Sequence, residues 1–153
     1  MTAAATEPTP FAGYLAFVFS GADHFTVGLL VLDRDGFPLD FRFSSPVQPS
    51  AMQKALYGQS LEPWLLQSVC RELFRGLQEK PRILLTNYKE LDPDWLEVPL
   101  YLMERGEKPV PMDENAENQE EDRDWLETAR FDLQEPFTRI EEALRLIPGS
   151  SKS

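Results

Sequence analysis

Carboxylates are the only residues in this chain numerous and close enough in sequence to suggest acid, base or metal chemistry. Asp33-x-Asp35-Gly36 opens like a calcium loop, and Glu90, Asp92 and Asp94 gather around Pro93. With Asp33 these would make a general acid/base set, or ligands for a divalent ion that activates water. The calcium reading fails on spacing, because such a loop places a bidentate glutamate at its twelfth position and that position is Ser44. His24 is the only histidine, so a histidine-activated nucleophile would have to draw on a predicted loop residue and a distant hydroxyl or thiol. Cys70 is the only cysteine. It excludes an internal disulfide and a thiolate cage, fits a reducing compartment, and falls on an apolar helix stripe where a thiol serves as a small hydrophobe. The 8 glycines are dispersed and assemble no phosphate-cradling loop. Glu120-Glu121-Asp122 is expected as solvated charge, and no metal or cofactor is expected.

The elements that would position these residues begin with strands. Residues 13–20 place Leu15, Phe17 and Phe19 on one face and Tyr14, Ala16 and Val18 on the other, so this strand is predicted to be interior. Residues 25–32 are apolar on both sides as well. Asp33-Arg34-Asp35-Gly36 then reads as a tight reversal, with Asp side chains bonding nearby backbone and Gly36 free to take a positive φ. In Phe37–Ser44, Phe37, Leu39, Phe41 and Phe43 are expected on one face and Asp40 and Arg42 on the other. Pro38 lacks a backbone donor, which assigns this third strand to a sheet edge.

Ser50 is expected to cap a short helix closed by Gly58, and Ser60 to cap a longer one ending near Glu79. Leu66, Val69, Cys70, Leu73 and Leu77 form the stripe of that longer helix, with Phe74 at its margin. It is a crossover to a fourth strand at 82–87, and 98–104 makes a fifth. Asp132 and Glu135 have capping-box spacing ahead of a last helix striped by Phe137, Ile140, Leu144 and Ile147. The expected fold class is α+β or α/β: a three-stranded antiparallel meander, a helical crossover, one or two further strands and a C-terminal helix. The expected division is a flexible leader at 1–12, a core at 13–103, an acidic linker or long loop at 104–124, a C-terminal helical segment at 125–148 and a tail at 149–153.

This order of elements is similar to the ribonuclease-H-like fold, and the resemblance covers element order only. Nucleases of that fold hold divalent metal through a carboxylate on the first strand and others nearby. Here the first strand carries no acid and the fourth offers only Asn87. Shared order without the ligands does not carry the activity over.

Charge narrows the partners. The chain has 26 acidic and 15 basic residues, with 12 acids against 8 bases up to residue 100 and 14 against 7 beyond it. Such a field opposes direct nucleic-acid binding and anionic membranes. No apolar run reaches the roughly 20 residues of a membrane-spanning helix, and MTAAATEPTP lacks the regions of a secretory signal. Between Ser50 and Arg82 the balance turns positive, with Arg71 and Arg75 one helical turn apart.

The expected function is a non-catalytic, cytoplasmic protein-interaction or accessory subunit, with a protein partner and self-association both open to it. Its expected surfaces are the edge strand (Phe37, Leu39, Asp40, Phe41, Arg42), the Arg71/Arg75 face and the terminal helix with its acidic tether, with Tyr57, Trp64 and Trp95 as aromatic residues that suit interface anchors and core margins equally. The alternatives are a metal-dependent hydrolase or nuclease relative using Asp33, Asp92 and Asp94, and an acidic nucleic-acid mimic filling a basic protein groove.

Overall fold

Two eight-residue strands, β1 (Ala12–Phe19) and β2 (Phe25–Leu32), pair antiparallel along their whole lengths and are apolar on both faces, which commits them to the middle of a sheet. In a computed structural model that describes residues 9–19, 24–93, 96–113 and 118–147, they are its second and third strands. The sheet has six strands in the order β3-β2-β1-β4-β5-β6. β3 (Pro38–Phe43) runs antiparallel to β2 at one edge. β4 (Leu84–Thr86) and β5 (Leu100–Leu102) run parallel to β1, and β6 (Val110–Pro111) turns back against β5. With four α-helices among the described residues, this is a mixed-sheet α+β fold.

Alternation along β1 and β2 sorts the core into two layers. Leu15, Phe17, Val27, Leu29 and Val31 pack with Leu61, Leu65, Leu66, Cys70 and Phe74 of α2 (Leu61–Arg75), the crossover helix. Tyr14, Ala16, Leu30 and Leu32 face the other way, onto Leu126 of α3 (Gln119–Glu127) and Phe137, Ile140 and Leu144 of α4 (Glu135–Arg145). Each of those large side chains contributes about 1.5–3 kcal/mol by leaving water. Gly28 lets α4 approach closely, because a Cβ there would stand 2.7 Å from Ile140 Cγ2.

Several local expectations shift. The first strand takes in Ala12, and Phe11 beside it is buried, so the core begins before residue 13. The stripe of α2 is rotated: Phe74 is buried, while Val69 and Leu73 sit at the margin. Ser60 makes no capping bond, because a 3-10 turn at Gly58–Ser60 feeds directly into α2. Asp132 does not close a capping box either. Its carboxylate accepts the Gln134 amide at 3.0 Å in a turn one residue too early.

The largest difference lies in 104–124. That stretch contains β6 and most of α3, and Asp122 is 2% exposed rather than solvated. Its carboxylate accepts the Tyr101 hydroxyl at 2.9 Å and lies 3.5 Å from the Arg82 guanidinium, so two partners offset the desolvation of the charge. Pro148, the N-terminal leader residues 1–8 and the tail at 149–153 lie outside the described residues.

Candidate functional site

The turn that sequence marks for chemistry is filled by backbone. Asp33 Oδ1 accepts the amides of Asp35 and Phe37 at 3.0 and 2.9 Å, and Gly36 takes φ 87°. The C-terminal segment then straps the turn from outside. Arg130 donates its amide to the Arg34 carbonyl and its guanidinium to Asp35. Arg139 donates to the Gly36 carbonyl at 2.6 Å, and Phe131 lies directly over Gly36. A bidentate bond to Glu135 keeps the Arg139 guanidinium above its usual range, so it stays charged.

Sheet register separates the acids that a metal or acid/base site would need. Leu32, just before Asp33, pairs with Ala12 at the start of β1, whereas Thr86 at the end of β4 pairs with Leu15 farther along. The Asp33 turn and the segment carrying Asp92 therefore leave the sheet at opposite ends. Asp94 and Trp95 lie outside the described residues. Among the described residues no three His, Cys, Asp or Glu side chains stand close enough to hold a metal ion. A hollow of about 550 Å³ does open at the carboxyl ends of β4 and β5, walled by Asn87, Met103, Arg105, Asp132, Glu135 and Glu141 among others. Two of its carboxylates are engaged, Asp132 by the Gln134 amide and Glu135 by Arg139. Cys70 is fully buried, and burial pushes its thiol well above the ordinary range, which makes it inert.

The expected edge strand is the edge, with its faces redistributed by a bulge. Val31 pairs with Asp40 and Leu32 with Pro38, so Leu39 is the extra residue. Leu39 consequently packs with the α2 layer and Phe41 with the α4 layer, where strict alternation puts them together. Phe37 and Phe43 are 66% and 50% exposed. Asp40 is clasped by the Gln78 amide at 2.8 Å and by Arg42 at 3.1 Å. Burial alone would raise its pKa; those two bonds outweigh it and hold the carboxyl below its usual range. The clasp and Pro38 close one half of the edge. Beside the other half, a cleft of about 270 Å³ runs between Phe41–Phe43 and Glu72, Leu73 and Gly76 of the helix end. Arg71, half-buried, and Arg75, exposed in the last turn of α2, are not part of its walls.

Two further features lie away from the turn and the edge strand. One is a cation-rich cluster on Trp125: the guanidiniums of Arg34 and Arg82 each lie 5.0 Å from its ring, Phe11 stacks on it at 5.2 Å, and its indole N–H donates to the Phe11 carbonyl. Trp125 sits one turn from Asp122, so the pair fastens α3 to the sheet; a search for apolar stripes passes over a helix face whose buried residues are an acid and a single leucine.

The other is α1 (Ala51–Tyr57). Ser50 caps it with a full capping box, accepting the Gln53 amide while Gln53 Oε1 accepts the Ser50 amide, and Gly58 closes it. Yet none of its residues is buried. Met52 and Leu56, one turn apart, are 66% and 75% exposed, and Tyr57 stacks on Trp64 of α2 at 4.3 Å. The Ser50 cap, the Gly58 stop and the aromatic residues Tyr57 and Trp64 are legible in the sequence; the outward turn of Met52 and Leu56 is not.

No protein-family model matches the chain, and no curated protein matches it, so its function has to be argued from its own geometry.

Proposed function

We propose that this protein is a non-catalytic accessory subunit that docks onto another protein through α1. The observation that carries this reading is a capped helix with no buried residue and its apolar side chains turned outward. A seven-residue helix has little intrinsic stability and ordinarily gains it by packing an apolar face. Here that face is still available. Covering Met52, Leu56 and the Tyr57–Trp64 stack would bury the kind of contiguous apolar and aromatic surface that anchors interfaces. The open half of β3, with Phe43 beside a cleft, favours a second contact in which an added strand pairs along Phe41–Phe43.

An enzyme built on Asp33, Asp92 and Asp94 has less support, because the first two leave opposite ends of the sheet. A nucleic-acid mimic remains an outcome of the same experiment, since it docks by charge and not by apolar area. Among the described residues no helix is long and apolar enough to cross a membrane; a cytoplasmic setting is part of the same proposal, and a lone buried thiol is compatible with it.

The test is to retain the full chain on a support, pass extract of its own host over it and identify any stoichiometric partner. Wild type is expected to hold one protein that the Met52→Glu/Leu56→Glu variant loses while keeping its melting temperature. Sedimentation shows whether that partner is a second copy. Equal retention by both proteins, or none by either, overturns docking through α1; a complex that dissolves steeply with salt and competes with DNA replaces it with the mimic.

A further inference from the structure

We propose that the cleft between α3 and the β5–β6 edge is a binding site for a small apolar carboxylate. The proposal is independent of docking through α1, since it uses other residues. The cleft holds about 190 Å³ and is walled by Pro109, Pro111, Leu126, Leu133 and Tyr101. An apolar cavity of about 150 Å³ is enough to take benzene, so this one accommodates a single ring with a short arm. Its polar atoms are few, and the hydroxyl of Tyr101 is already committed to Asp122 at 2.9 Å. That leaves the ring of Tyr101 and the prolines as a rigid, apolar lining that loses little freedom on binding.

Charge selects the ligand head. Among the described residues that wall it, the exposed charged side chains are Lys108, Arg123 and Glu127, a net positive rim on a protein of net charge −11. A cationic rim over an apolar floor suits a molecule with an apolar body and one carboxylate, the guanidinium offering a planar pair of donors to it. Two sources share this chemistry: a free ring-bearing acid, and the C-terminal residue of a peptide ending in an aromatic side chain.

Phenylacetate, its neutral isostere phenylacetamide, and Gly-Gly-Phe with a free or amidated C-terminus are titrated into the full chain, and amide shifts of Tyr101, Leu126 and Leu133 are followed by NMR. The expected result is saturable binding of phenylacetate with a dissociation constant on the order of 1 mM. The acid is expected to bind about tenfold more tightly than the amide. In a Lys108→Gln/Arg123→Gln variant, which changes only exposed side chains, that preference should fall to about unity while phenylacetamide binding is unchanged. Tighter binding of the free-terminus peptide than of phenylacetate identifies a peptide end as the ligand, and weaker binding identifies a free acid. No saturable shift with any probe up to its solubility limit overturns the site, as do shifts mapping elsewhere or an acid preference that survives the double substitution.

Discussion

The turn between β2 and β3 and the helix α1 invert each other. The turn is rich in the residues of chemistry, two aspartates and an arginine around a glycine, and nearly every one of them is consumed: Asp33 by two amides, Asp35 by Arg130, and the Gly36 carbonyl by Arg139. α1 is an ordinary capped helix in its sequence, and its Met52 and Leu56 are left mostly in water. What a residue type can do and whether it is available to do it are separate properties. The second is decided by which distant segment comes to lie over it.

That contrast gives an ordered set of tests. The largest effect is expected from Gly36→Val, which combines a β-branched residue at φ 87° with a Cβ 3.1 Å from Phe131. A loss of about 3 kcal/mol in urea denaturation follows from the backbone strain and the displaced ring. Asp33→Ala removes the acceptor of two amides at a site water can reach, so a smaller loss of about 1–2 kcal/mol is expected.

Asp40 supplies a pH signature. Its folded pKa is depressed by the Gln78 amide and Arg42 against the raising effect of burial. The stability this contributes is therefore fully present above the ordinary carboxylate range and is lost as pH falls through the folded pKa. Asp40→Asn should be less stable than wild type at neutral pH, and the gap should close on acidification; a gap that widens in acid means the clasp is absent. The smallest effect belongs to Met52→Glu/Leu56→Glu, with stability within about 0.5 kcal/mol of wild type. A loss of several times that size would mean α1 is covered in the free protein, and the contrast with the turn would disappear.

How much could be read beforehand follows the range of the interactions. β1, β2 and the stripe of α4 were legible because apolar periodicity over eight or more residues leaves few arrangements that bury it. The edge position of β3 was legible from Pro38, but its faces were not: the bulge at Leu39 is set by pairing with Val31 and Leu32 and leaves no local mark. α3 was hidden because its buried positions include Asp122, whose burial is compensated by Tyr101 and Arg82, 21 and 40 residues away. Of the expected interaction residues, Phe41 and Arg42 line one cleft, Asp40 is tied to the turn after α2, and Arg71 and Arg75 stand apart from it. The exposure of α1 was out of reach for a different reason, since hydropathy records what a residue prefers and not whether the fold covers it.

The central place of β1 has a consequence for how the protein is made. Its hairpin with β2 is complete once Leu32 has emerged, but its other side waits for β4, which begins at Leu84. At roughly 5–20 residues per second that interval is about 3–10 s. Throughout it the nascent chain carries an apolar ribbon with an open flank, and the strap of Arg130, Phe131 and Arg139 over the turn is synthesised later still. The steps that protect the sheet therefore come late in synthesis, which makes the growing chain on the ribosome, more than the finished protein, the form most exposed to aggregation.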